Sequence, residues 1–366
     1  MNNVLIISPE EWNGHFVSKH HYAITLAKKG ARVYFLDPPK SEINDIKILN
    51  TDYENLYQVQ SPIVSKGLQY MPKILRINLQ RKWLDKLESK IGCEINTVWL
   101  FENSRFYDLD FAKDRLKIYH QVDLNQNFHI KEASKSADIS FCTTDYIKYE
   151  IEKYSKKVYK IHHGVANVDA KKLTENQNEL FTKRKINVAY IGNLDIPYLD
   201  IDILGSLFKK YSNITFHLVG SYSENKNLFK KYGKLDNIVW WKKVESNLIP
   251  SILQKSDILL LAYRANNDFE KKQLASPHKL MEYLSSGKVV MSTYTDEYKD
   301  RRNLLEMVDD PKDYLDRFEQ VVNNLAFYNS YEKMKERIDF AKSHSYSNQL
   351  EKINKLVKQN TNKVLL

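Results

Sequence analysis

Cysteine is scarce in this 366-residue chain, with Cys93 and Cys142 the only two. That excludes a disulfide framework and a cysteine-based zinc site, and it favours the cytoplasm. Glycine is scarce as well. The ten glycines never fall two apart, so there is no dinucleotide-binding fingerprint, and no Gly-Lys-Ser/Thr closes a phosphate loop. No two histidines stand at zinc-protease spacing. Long apolar runs are missing too, since DILLLAY is far shorter than the roughly 20 residues a bilayer-spanning helix needs. The start MNNVLIISPEEW has no basic lead and reaches acidic residues at once, which argues against a secretory signal.

What is present suits two domains of ordinary size, with 42% apolar residues to fill both cores. The excess of 56 Lys+Arg over 46 Asp+Glu, +10 in all, is spread over both halves. Nucleic-acid binders concentrate such charge in a tail or face, so no nucleic-acid partner is expected; the balance suits anionic small molecules or lipid. One cluster stands apart. Residues 66–90 hold seven basic and two acidic side chains among Leu75, Ile77, Leu79, Trp83, Leu84 and Leu87. They read either as a peripheral contact with a membrane surface or as an amphipathic helix covering a sheet.

Strand-like and helix-like runs alternate. NVLIIS, FVSKHHYAITLAKKG and ARVYFLD make a strand, helix, strand unit, and further strands are expected at LYQVQ, TVWLF, LKIYHQV, ISFCTT and KVYKIHH. The polar stretch 166–185 reads as a linker. A second series follows at INVAYIG, ITFHLVG, NIVWW, DILLLAY and KVVMST. Such alternation predicts an α/β protein with two parallel, Rossmann-like sheets covered on both faces. The expected divisions are 1–165, the linker, 186–345, and a closing helix over 346–366. A short echo links the halves: KSADISFCTT (135–144) and QKSDILLLAY (254–263) both run from a helix end through Ser and Asp into a buried strand.

Parallel sheets bind ligands beyond the carboxyl ends of their strands, which directs attention to Gly192, Asn193, Arg264 and the stretch SPHKLMEYLSSGKVVMST, residues 276–293. Pro277 near its start and Gly287 near its end predict one short helix over 276–287. Ser276 at the tip suits a phosphate, and Glu282, about 9 Å along the axis at 1.5 Å per residue, suits ribose hydroxyls. Glu282 paired with Lys279 on an exposed face fits the same pattern. Arg264 and Lys279 could supply fixed positive charge to a departing diphosphate. In the first domain Asp123 follows a strand and could take a proton from an attacking hydroxyl, or it could cap the next helix. Glu102 and His15 are further candidates, the latter for the transferred group or the acceptor; His129 and His163 are weaker ones. Asp-x-Asp triplets at 108–110 and 200–202 could hold a metal, although Asp200 reads as a helix start. No metal site is expected.

Several stretches carry a family resemblance. SPHKLMEYLSSGKVVMST, HHYAITLAKKGARVYFLDPP, IHHGVANVD and AYIGNLD resemble, in this order of specificity, the corresponding regions of GT-B fold glycosyltransferases, similar to family 4 and teichuronic-acid-type enzymes. The resemblance implies two Rossmann-like domains facing a cleft, with C-terminal helices. It implies a nucleotide-diphosphate sugar as donor substrate, no cofactor, and a glycan or lipid-linked acceptor in surface polysaccharide synthesis. Glu282 would bind ribose, Ser276 with the backbone of Pro277 and His278 the diphosphate, and Lys279 and Arg264 its charge, beside Gly192 and Asn193. The enzyme would be a metal-independent hexosyltransferase type, cytoplasmic and at the inner face of the membrane if the 66–90 contact forms. Leu274 departs from the family's paired-glutamate pattern. A nucleotide-sugar epimerase and a non-catalytic binding protein are the rival readings.

Overall fold

The computed structural model describes residues 2–14, 16–123, 128–166, 169–265, 267, 270 and 276–366. Among the residues singled out above, His15 and Leu274 lie outside this set. The chain forms two compact units, Met1–His163 with Tyr346–Leu366, and Gly164–Ser345.

In the first unit β1 (Asn3–Ile7), β2 (Arg32–Leu36), β3 (Lys47–Asn50), β4 (Leu56–Gln60), β5 (Thr97–Leu100), β6 (Leu116–Gln121), β7 (Ile139–Cys142) and β8 (Val158–Lys160) make one sheet in the order β3-β4-β2-β1-β5-β6-β7-β8. Every pairing is parallel except β3 with β4. The sequence reading did not anticipate β3. Its four residues, KILN, are mostly exposed and end in an asparagine, so they carry little of the buried run that marks the other strands.

The second unit has β9 (Ile186–Ile191), β10 (Ile214–Val219), β11 (Ile238–Trp241), β12 (Ile258–Leu261), β13 (Val289–Thr293) and β14 (Glu306–Val308), all parallel, in the order β11-β10-β9-β12-β13-β14. Only β14, three residues long, was not expected. The two Rossmann-like parallel sheets followed by C-terminal helices are the GT-B fold. The central strands are buried along their whole length, ILLL in β12 and VVMST in β13, because helices cover both faces.

The echo between the halves has one physical meaning in both. Ser136 Oγ donates to the carbonyl of Glu132 at 2.7 Å, and Ser256 Oγ donates to that of Ile252 at 2.8 Å, each adding a side-chain bond to a carbonyl in the last turn of a helix. Two residues later in the first case and one in the second, the aspartate grips the neighbouring strand from both sides. The Asp138 N–H donates to Lys117 O while its carboxylate accepts from Lys117 N–H; Asp257 does the same with Asn187. Each Ser-x-Asp or Ser-Asp thus ends a helix and sets the register of the strand that follows.

Two boundaries differ from expectation. Residues 164–185 belong to the second unit and contain the helix Glu175–Glu179, whose Thr174 and Gln177 form a capping box. The closing helix, Tyr346–Asn360, belongs to the first unit, where Leu350, Ile353 and Val357 are fully buried. Among the described residues no helix is long and apolar enough to cross a membrane.

Candidate functional site

In the second unit the strand order reverses between β9 and β12, and such a switch point leaves a crevice beyond the strand ends. The chain leaves β9 at Gly192, whose φ of 147° is in the region reserved for glycine. Gly220, after β10, has φ 142° and lies so close that a Cβ would strike the Gly192 carbonyl. A Cβ on Gly192 would in turn strike the ammonium of Lys279. Backbone and lysine therefore meet with nothing between them.

Lys279 opens the helix Lys279–Ser285, which is tied to the sheet by Tyr283: its fully buried hydroxyl accepts the Ile191 N–H at 2.8 Å. The helix starts three residues later than the sequence predicts. Ser276, Pro277 and His278 form a turn before it, with the Leu280 N–H donating to Pro277 O at 3.1 Å. Ser276 is therefore not part of the helix that carries Glu282, as proline disfavours helical geometry in the residue before it.

The Lys279 ammonium donates to Tyr190 Oη at 3.1 Å and lies 4.3 Å from the Tyr190 ring centroid and 5.1 Å from that of Tyr263. Ring faces attract a cation, but they do not replace its water. Burial accordingly lowers the lysine's pKa to about 7, against the opposing attraction of Glu282 one turn on. Glu282 itself is half-buried and accepts no side-chain hydrogen bond from the described residues. Its carboxylate is available.

Arg264 follows β12. Its N–H bonds Tyr198 O at 2.8 Å and the Asp200 N–H bonds Ala262 O at 2.9 Å, so the loops after β9 and β12 run side by side. The Arg264 side chain is exposed and makes no ion pair among the described residues. Asn193 Oδ1 accepts the Asp195 N–H at 2.9 Å, shaping the turn that follows Gly192. The switch point thus gathers Gly192, Arg264, Lys279 and Glu282 beyond the ends of β9 and β12. The tyrosines 190, 263 and 283 that hold the lysine and its helix were missed from the sequence. Their signal was tyrosine at the last buried positions of AYIG and LLLAY, and on the inner face of MEYL.

In the first unit Asp123 is exposed just beyond β6, at the end of a buried chain of hydrogen bonds: Asn103 Nδ2 to Tyr119 Oη, Tyr119 Oη to Gln121 Oε1, and Gln121 Nε2 to the Asp123 carbonyl. Glu102 is buried, and its carboxylate accepts from the Ser104 N–H and hydroxyl and from the Arg105 N–H and Nε, which holds its own turn. His15 lies outside the described residues; the nearby His20 accepts the Val17 N–H at Nδ1 and donates from Nε2 to Glu11 O, and burial lowers the pKa of its ring. His163 lies 3.0 Å from Ser18 Oγ, and His129 stacks on Tyr107.

Both Asp-x-Asp triplets have structural partners. Asp200 caps its helix through the Ile203 N–H, while Asp108 and Asp110 pair with Lys73 and Arg76. Among the described residues no group of three or more His, Cys, Asp or Glu is placed to hold a metal ion. The 66–90 cluster divides. Ile77, Trp83, Leu84 and Leu87 of the helix Lys73–Ile91 are buried, whereas Tyr70, Ile74 and Leu75 are exposed.

No protein-family model and no curated protein matches the sequence. Solved structures do. A sucrose-phosphate synthase from Thermosynechococcus elongatus aligns over 98% of this chain and 99% of its own, with TM-score 0.71 and 12% identity. An alpha,alpha-trehalose-phosphate synthase (UDP-forming) from Burkholderia vietnamiensis aligns over 96% of both chains, with TM-score 0.66 and 12% identity. WaaG, a glycosyltransferase involved in lipopolysaccharide biosynthesis, aligns over 96% and 98%, with TM-score 0.62 and 13% identity. At these identities the likeness is one of fold.

Proposed function

We propose that this chain is a glycosyltransferase that moves a sugar from a nucleotide-diphosphate donor to a glycan or lipid-linked acceptor, in surface polysaccharide synthesis. The donor binds the second unit and the acceptor the first. The observation that carries this reading is the pairing, one helical turn apart, of a caged Lys279 with a Glu282 that no described side chain occupies, at the switch point beside Gly192. The likeness to three sugar-transferring enzymes of the same fold supports it.

In the reaction the bond between the sugar's anomeric carbon and the diphosphate oxygen breaks, and its electron pair leaves on the diphosphate. A bond forms from that carbon to an acceptor hydroxyl, whose proton passes to a base. Lys279 and Arg264 neutralise the departing charge, with Ser276 and the backbone of Pro277 and His278 completing the diphosphate contacts beside Gly192 and Asn193. Two fixed cations at the leaving group can do what a divalent ion does elsewhere. Glu282 takes both ribose hydroxyls, and Asp123 is the base; His15 and Glu102 contribute to the acceptor side. The chain works in the cytoplasm, with exposed Tyr70, Ile74 and Leu75 beside Lys66 and Lys73 touching the inner face of the membrane.

Glu282→Ala tests the donor site. Each charge-assisted hydrogen bond lost costs about 1.5–3 kcal/mol, so the variant should weaken donor binding by at least roughly 10- to 150-fold, the effect of one such bond. Calorimetric titration with a panel of nucleotide sugars reads this directly; unchanged affinity would reject the role. Transfer that stops on chelation and returns with manganese would reject the metal-free scheme. Sugar isomerisation without an acceptor would point to an epimerase instead.

A further inference from the structure

The first unit has its own switch point, between β1 and β5, and a cavity of about 390 Å³ opens there. Small-molecule sites commonly enclose about 300–1,000 Å³. The walls come from the ends of β1 and β2, from the segment 61–70 after β4, and from 104–106 after β5. Ile7, Leu36, Pro62, Val64, Leu68 and Phe106 make the lining largely apolar. Among the described residues Asp37 is the only carboxylate lining it, and both of its oxygens are engaged, one by the Trp12 N–H at 2.9 Å and one by Gln58 Nε2 at 2.7 Å. Lys66 and Arg105 are the charged groups left to face a ligand. Lys66 is exposed and makes no ion pair among the described residues, and Arg105 commits only Nε of its side chain, to Glu102 at 3.0 Å. Ile63 and Tyr70, also in the lining, are 47% and 84% exposed, so apolar surface continues out of the cavity.

We propose that this cavity binds the aliphatic chain of an anionic amphiphile, with Lys66 and Arg105 holding a phosphate at the rim, so that the acceptor hydroxyl is carried on a phosphate-bearing lipid rather than on a free glycan. This deepens the function proposed above and rests on it. A free sugar would need hydroxyl partners throughout, whereas Ile7, Leu36, Pro62, Val64, Leu68 and Phe106 outweigh the polar lining of Ser8, Ser61, Ser65, Gln69 and Ser104; an uncharged lipid would leave unmatched the Lys66 ammonium and the guanidinium nitrogens of Arg105 that Glu102 does not take. One amphiphile satisfies both.

The test is calorimetric titration of the full chain with farnesyl phosphate, farnesol and inorganic phosphate. Farnesyl phosphate is expected to bind at least tenfold tighter than either of the others, with a negative heat-capacity change from apolar burial. Lys66→Glu, at an exposed position, should weaken farnesyl phosphate at least tenfold and leave farnesol unchanged. Val64→Trp, which fills the cavity, should weaken both. Neither variant should alter stabilisation by nucleotide sugars, which reads the second unit. Farnesyl phosphate binding no tighter than inorganic phosphate, or binding unmoved by Lys66→Glu, overturns the proposal. So does sedimentation of the protein with phosphatidylglycerol vesicles when the monomeric amphiphile does not bind, which would make the apolar surface a bilayer contact. Nucleotide sugars that bind while farnesyl phosphate fails leave glycosyl transfer standing and remove the lipid acceptor. Farnesyl phosphate binding as described, with no nucleotide sugar bound, keeps the cavity's ligand and removes the transferase.

Discussion

Lys279 is the residue whose chemistry depends most on its surroundings. With a pKa near 7 in the folded chain and 10.5 ordinarily, it gives up a proton on folding between those values. The unfolded chain binds more protons in that window, so stability should rise with pH from about 7 to 10.5, and the rise should vanish in Lys279→Met. Donor binding works in the opposite sense. A diphosphate favours the charged amine, so binding above pH 7 takes up a proton, and affinity should fall by up to about tenfold per pH unit. Titration in two buffers of different ionisation heat measures that uptake; equal heats would place Lys279 away from the donor. The lysine itself stands in a motif visible in the sequence, but its proton balance comes from Tyr190 and Tyr263, 89 and 16 positions earlier, which no local pattern connects to it.

At the scale of elements, Ser136/Asp138 and Ser256/Asp257 show how a brief sequence echo specifies structure. Each aspartate satisfies the N–H of the second residue of a neighbouring strand, and an unsatisfied N–H there costs about 1–3 kcal/mol. Asp257→Ala should therefore destabilise the second unit by about that amount, while Asp257→Asn, which keeps a carbonyl acceptor, should cost distinctly less. Denaturant unfolding measures both, and equal losses would mean that charge rather than the hydrogen bond matters. The site helix shows the limit of such signals. Pro277 and Gly287 bracket it correctly, with Gly287 in the left-handed region at φ 77°, yet the helix begins only at Lys279, two residues past the proline. The amphipathic stretch 66–90 is similar: its periodicity marks the buried face of Lys73–Ile91 but is silent on why Ile74 and Leu75 stay outside.

At the scale of the whole molecule, the chain returns to its first unit after completing the second. The closing helix buries Leu350, Ile353 and Val357 and meets the first helix, Ser18–Lys28, through Lys29–Glu351 at 2.9 Å and through Tyr346 against His21 and Tyr22. Tyr159 Oη also donates to Asn360 Oδ1 at 2.6 Å. Full burial of three such side chains stabilises by about 5–9 kcal/mol, comparable with the whole stability of a typical domain. Truncation after Ser345 should leave the first unit unfolded and the second able to bind nucleotide sugars. Calorimetric scanning would show one transition lost; two intact transitions would make the helix dispensable.

The amino-acid sequence by itself determined the alternation of strands and helices, the parallel sheets, the cap at Asp200 and the residues Gly192, Arg264, Lys279 and Glu282 as neighbours of a strand end. Those depend on contacts within a few positions and on burial of continuous apolar runs. The tertiary structure alone decided that three tyrosines hold the lysine and its helix, that the closing helix joins the first unit, and that an apolar cavity with a basic rim sits where β1 and β5 part. Those depend on strand order, and the order is chosen by crossovers that bring together residues far apart in the chain.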